Sequence, residues 1–141
     1  MGQYHFVCNL DKHQFLHPHQ LGDGLKLMEF GNSAGGTLTA LAILLASANG
    51  RGGGDLMAPE GPPEVTDWFA TLVGSWAGDR IAIIGDYFEP GDILGWDIQD
   101  NPWNDKEGWE DISAPVRALI EADGMFVFEP ENGGMIRRLG G

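Results

Sequence analysis

Hydrophobic positions along this chain change period several times, and each change predicts an element. Tyr4–Leu10 and His13–His17 are short aromatic and aliphatic runs on either side of Asp11-Lys12, the pattern of a β-hairpin. With a two-residue turn, Tyr4, Phe6, Cys8, His13, Phe15 and His17 share one face; a four-residue turn fits the composition equally well. Pro18 ends the second strand, and Leu25, Leu27 and Met28 predict a short helical turn beyond it. From Thr37 to Ala48, Leu38, Leu41, Ala42 and Leu45 recur at helical spacing, with Ile43 and Leu44 filling the other side. A helix apolar nearly all round is expected at the centre of the fold, with Asn32 or Ser33 capping its start.

Asn49–Asp55 is glycine-rich and reads as a loop, continued by Pro59–Pro63. Val65, Trp68, Phe69 and Leu72 form one stripe of a second helix over Glu64–Val73, with prolines before it and Gly74 after. Ile81–Ile84, flanked by Gly-Asp pairs, reads as a strand buried on both faces, around which the other elements are arranged. A third helix covers Asp111–Asp123: Ser113 caps it, Pro115 lies in its first turn, Gly124 ends it, and Val116, Leu119 and Ile120 face inward. Met125–Phe128 predicts a last strand, and 129–141 a tail without periodicity. The expectation is one α+β domain over 1–141, with an N-terminal β-hairpin, a mostly antiparallel sheet packed by a buried central helix, and two further helices.

Composition narrows the function classes. The net charge of −13 argues against direct binding to nucleic acid or an anionic membrane, which needs clustered Lys and Arg. It suits simple solubility, a basic protein partner, or imitation of a polyanion. No run is long enough to span a bilayer, and the N-terminus lacks a basic stretch followed by an apolar core, so a cytoplasmic protein is expected. One cysteine, Cys8, excludes an internal disulfide and fits a reducing compartment.

The opening Met1-Gly2-Gln3-Tyr4, then Asn9–Lys12, Leu16–His19 and Gly22–Glu29, resembles a family of small uncharacterised bacterial and phage proteins. Gly74–Ile81 and Gly85-Asp86-Tyr87 are similar to the same family. The resemblance touches about a third of the chain and implies no activity, cofactor or catalytic residue.

Four groupings could carry chemistry. Asp86–Asp111 holds nine acids against Lys106 alone, with three tryptophans interleaved. Asp92, Trp96, Asp97, Asp100, Trp103, Asp105, Glu107, Trp109 and Glu110 are therefore read as an interaction surface, because tryptophan anchors interfaces and dense carboxylates steer basic partners. A nucleic-acid mimic would present such a surface; the plainer reading makes the tryptophans core anchors and the acids solvated. Gly22, Asp23, Gly24 and Lys26, with Gly35-Gly36 at a helix start, could hold an anion on backbone N–H groups, against the plainer reading of a tight turn. Asp79, Arg80 and Asp86 flank the Ile81–Ile84 strand and suit acid–base or magnesium chemistry, or an ordinary ion pair. His5, His13, His17 and His19 are weak metal candidates beside Cys8, since their spacing matches no zinc pattern.

Ile136–Gly141 is similar to the tail of ubiquitin-like proteins, which end in Gly-Gly; the resemblance implies a carboxylate passed to a thiol or amine at Gly140-Gly141. The reading adopted is a non-enzymatic binding protein with no cofactor and a basic protein partner, without direct nucleic-acid or membrane contact. The alternatives are a small metal- or phosphate-binding enzyme and a ubiquitin-like modifier.

Overall fold

The computed structural model describes residues 2–129 and 134–137. Strands β1 (His5–Asn9) and β2 (Gln14–Leu16) form the N-terminal hairpin, paired Val7 to Leu16, Cys8 to Phe15 and Asn9 to Gln14. The pairing register is that of a two-residue turn, although regular structure stops one pair early. The buried Asn9 side chain closes the turn, its Oδ1 accepting from the N–H groups of Asp11 (2.9 Å) and Lys12 (2.8 Å).

Strand β3 (Ile81–Gly85) runs antiparallel to β1 on its other side, and the two-residue β4 (Glu110–Asp111) lies parallel to β2. The sheet order β3-β1-β2-β4 corrects the expectation for Ile81–Ile84: β1 is the central strand and β3 an edge. Ile83 is 45% exposed, whereas Phe6, Val7 and Cys8 are buried on both faces of β1. β-Branched residues suit an edge strand as well as an inner one, so the apolar run alone could not fix its position.

One face of the sheet carries Val7 and Leu16 against the helices α1 (Thr37–Leu45), α2 (Pro63–Leu72) and α3 (Ser113–Asp123). The stripes expected of α2 and α3 pack as expected: Val65, Trp68, Phe69 and Leu72 from one, and Val116, Leu119 and Ile120 from the other. Ser113 does not cap α3. Its hydroxyl accepts from the His17 N–H (2.7 Å), and Asp111 Oδ1 accepts from the Ser113 N–H instead (2.9 Å).

The α1 helix is not buried all round. Ala40, Ile43 and Leu44 face inward, while Leu38 (59% exposed), Ala42 and Leu45 face out. Its rotation is set from both ends, by the Asp23 carboxylate at Thr37 and by the Gly74 and Trp76 N–H groups on the carbonyls of Ile43 and Leu44 (2.9 Å each). Strand β5 (Phe126–Glu129) pairs with β6 (Gly134–Arg137) in a separate two-stranded sheet, so the C-terminal strand does not join the main sheet, and 129–141 is not wholly without regular structure. Gly140-Gly141 lies outside the described residues. The architecture is one α+β domain, and no helix among the described residues is long and apolar enough to cross a membrane.

Candidate functional site

Among the described residues, no helix packs on the second face of the sheet. Phe6, Cys8, Phe15 and Ile84 are covered there by the irregular acidic segment, whose Ile98 and Trp109 complete a second core cluster. Trp103 stacks on Phe6 with ring centroids 3.9 Å apart and 2° between planes, and its indole N–H donates to the Ile84 carbonyl (2.9 Å). Trp109 is 4% exposed, stacks on His13 at 4.5 Å, and donates to Asp100 Oδ1 (3.0 Å). Trp96 donates to the Asp100 carbonyl (3.2 Å) and lies under the Arg80 guanidinium. The indoles pack toward the sheet: Trp109 is core, and Trp96 and Trp103 are half-buried with their N–H groups bonded, each keeping part of its surface exposed.

The carboxylates divide by side-chain length. A loop crossing a sheet face must satisfy its own backbone N–H groups, and a short carboxylate reaches them. Asp92 accepts from the Glu89 N–H (2.8 Å), Asp97 from Gln99 (3.1 Å), Asp105 from Gly108 (3.0 Å) and Asp111 from Ser113 (2.9 Å). Asp86 accepts from the Tyr4 N–H (2.9 Å), and Asp100 joins Trp109 to His13 Nε2 (2.9 Å). Buried Asn101 ties the middle of the segment, donating to the Ile98 carbonyl and accepting from the Asn104 N–H. Glu110 accepts from Gln14 Nε2 (3.0 Å), whereas the exposed Glu89 and Glu107 side chains have no bonded partner among the described residues. What the segment presents is a set of aspartate carboxylates held on a folded layer, with the Glu89 and Glu107 carboxylates exposed beside them.

The other groupings do not converge. Asp79 accepts from buried Asn9 Nδ2 (2.8 Å) and pairs with Lys12, and these two bonds, Asn9's first, hold its carboxyl below the usual range. Asp11 takes the Arg80 backbone N–H (2.7 Å) and guanidinium (2.8 Å), which lower its pKa likewise. Both pairs join the hairpin turn to the start of β3. Asp86 stands at the far end of that strand, about 20 Å away at the rise of an extended chain. Asp79, Arg80 and Asp86 therefore form no shared site.

The proposed anion cradle already holds a carboxylate of the chain. Asp23, 3% exposed, accepts from the N–H groups of Ser33 (2.6 Å) and Thr37 (2.8 Å) at the start of α1. A Cβ on Gly36 would meet Asp23 Oδ2 at 2.6 Å, so glycine is required by this approach. Gly22 ends the preceding turn in the left-handed conformation (φ 86°), and Ser33 Oγ donates to its carbonyl (2.6 Å). Gly24 packs against the Glu29 side chain, which accepts from the Lys26 N–H (3.1 Å). Around Gly22, Asp23, Gly24 and Lys26, the N–H groups of Ser33 and Thr37 that an outside anion would use are bonded to the Asp23 carboxylate.

The four histidines do not converge on one site, although the His17 and His19 rings lie 6.3 Å apart. His5 lies edge-on to Phe30 on the helix side, His13 and His17 flank Phe15 on the other side, and His19 is exposed. Burial pushes His17 below its usual pKa, against the raising effect of Asp111. No three His, Cys, Asp or Glu among the described residues are placed to share a metal ion. Cys8 is buried, and desolvation pushes its thiol up to about 12.

Sequence reasoning missed two features. One is a groove of about 570 Å³ lined by Ala42, Ile43, Val73, Ile120, Met125 and Phe126 under the glycine-rich loop. The other is the outer edge of β3, hidden by the assumption that this strand was central. Comparison with protein-family models, curated proteins and solved structures found no match.

Proposed function

We propose that this chain is a non-enzymatic binding protein whose acidic segment, residues 86–111, engages a basic protein partner. The observation that carries the reading is the anchoring of the carboxylates: aspartates are fixed by backbone N–H groups to a layer that is itself packed on the sheet. Fixed charges lose little freedom on binding, and a single-sign field accelerates encounter with the opposite sign. Nine acids face one base within the segment, against a chain total of −13. A surface that holds nucleic-acid phosphates is the natural complement, so a nucleic-acid-binding protein is the partner class that fits best.

The test is a titration with a fluorescent lysine- and arginine-rich peptide at low and high salt. Binding should fall steeply with salt. Glu89→Gln with Glu107→Gln should weaken it by about two- to fivefold per charge, the range of exposed ion pairs. Glu60→Gln with Glu64→Gln, which removes equal charge elsewhere, should leave it nearly unchanged. Binding indifferent to salt, or equal loss in both double variants, contradicts the proposal.

A further inference from the structure

The outer edge of β3 has the features of a pairing site. Its hydrogen-bonding parity is fixed by two bonds to β1 and its flank: the Leu10 N–H to the Arg80 carbonyl (2.8 Å) and the Asp86 N–H to the Tyr4 carbonyl (2.9 Å). Between these, Ala82 and Ile84 direct their backbone groups to β1, while Ile81, Ile83 and Gly85 direct theirs outward. No described residue bonds to those outward N–H and C=O groups, and the open stretch is Ile81–Ile83, since Gly85 is buried against the Gln3 side chain.

Natural edges are usually blunted by lysine, proline or a bulge. Here the edge reads Ile-Ala-Ile-Ile-Gly, with unbroken register along β1 and the Ile83 side chain 45% exposed.

We infer that this edge receives an extended segment of the basic partner, added as a fifth strand with alternating basic and apolar side chains. The inference rests on the acidic-face reading and specifies how the partner is held. Side chains opposite Ala82 and Ile84 would fall on the face covered by the acidic segment, where Lys or Arg is favoured. Those opposite Ile81 and Ile83 would fall on the helix side, where an apolar residue covers Ile83. Main-chain bonds supply affinity in such strand addition, and alternate side chains supply selectivity. A second copy is a poor occupant, because it would bring two chains of −13 together.

The experiment uses the full chain and two peptides of equal composition, one alternating lysine and valine, the other with lysines and valines in separate blocks. Amide hydrogen exchange should show new protection at Ile81 and Ile83 with the alternating peptide, which should bind more tightly than the blocked one. Ile83→Pro removes an outward donor and no bond to β1, and should weaken binding about tenfold, the scale of one well-made hydrogen bond. Ile83→Lys, a milder edge change, should also weaken binding and covers the case in which the proline variant does not fold. Salt-sensitive binding of both peptides with equal affinity, and no protection at these two amides, overturns strand addition while leaving the acidic-face reading intact. Failure of both peptides to bind at low salt overturns the two together. A concentration-dependent dimer abolished by Ile83→Lys assigns the edge to a second copy and overturns the inference.

Discussion

A buried polar side chain must find its partners within the fold, and three residues of this chain meet that demand in different ways. Asp23 finds the N–H of Ser33 in the preceding turn and that of Thr37 at the start of α1, and so ties the turn to the helix. Asn9 finds the turn above it and Asp79 beside it, joining the hairpin to the β3 lead-in. Cys8 finds little: its Sγ lies 3.7 Å from the Phe6 carbonyl in an apolar cluster, and the thiol is pushed up to about 12 by desolvation. Since the thiolate is the reactive form, native protein at mildly alkaline pH should resist thiol reagents that label the denatured chain at once. The linkage has a definite sign. The folded thiol holds its proton more tightly than the unfolded one, so this contribution to stability is complete below pH 9 and is lost as pH rises toward 12. Urea melts of wild type and Cys8→Ala across that range check it: the difference between them should shrink with rising pH, and a constant difference contradicts the assignment.

At the scale of elements, the acidic segment substitutes for a helical layer. It has almost no regular structure, yet it supplies Ile98, Trp103 and Trp109 to the second core. Trp109→Ala should therefore destabilise the protein by about 3–5 kcal/mol, as for a large core side chain, measured by denaturant unfolding. A loss within the range of surface substitutions would mean that the segment merely drapes over the sheet. The elements legible in the sequence were those whose pattern depends on their own period. The α2 stripe and the Val116, Leu119 and Ile120 face of α3 are of this kind. The outward rotation of Leu38 and Leu45 was not legible, because all sides of α1 are apolar and bonds from Asp23, Gly74 and Trp76 choose among them. Nor was the edge position of β3, since Ile-Ala-Ile-Ile suits either place in a sheet. The acidic segment was legible in its charge and not in its geometry. Nothing local distinguishes an indole packed on Phe6 from one offered to a partner.

The whole molecule is a sheet with two unlike sides. Helices bury one face in the ordinary way, and a carboxylate-rich layer buries the other while leaving its charges at the surface. The proposed recognition would thereby share a segment with stability: the tryptophans and aspartates that fold it also place the backbone that carries Glu89 and Glu107. The most direct measurement of that union is hydrogen exchange at the indole N–H groups of Trp96, Trp103 and Trp109, with fully buried Trp76 as internal reference. This fold predicts that Trp103 and Trp109 exchange with Trp76 in the cooperative opening of the domain, and that Trp96 is slowed by its bond to the Asp100 carbonyl. Exchange of all three at the rate of free indole, with Trp76 still protected, would contradict it.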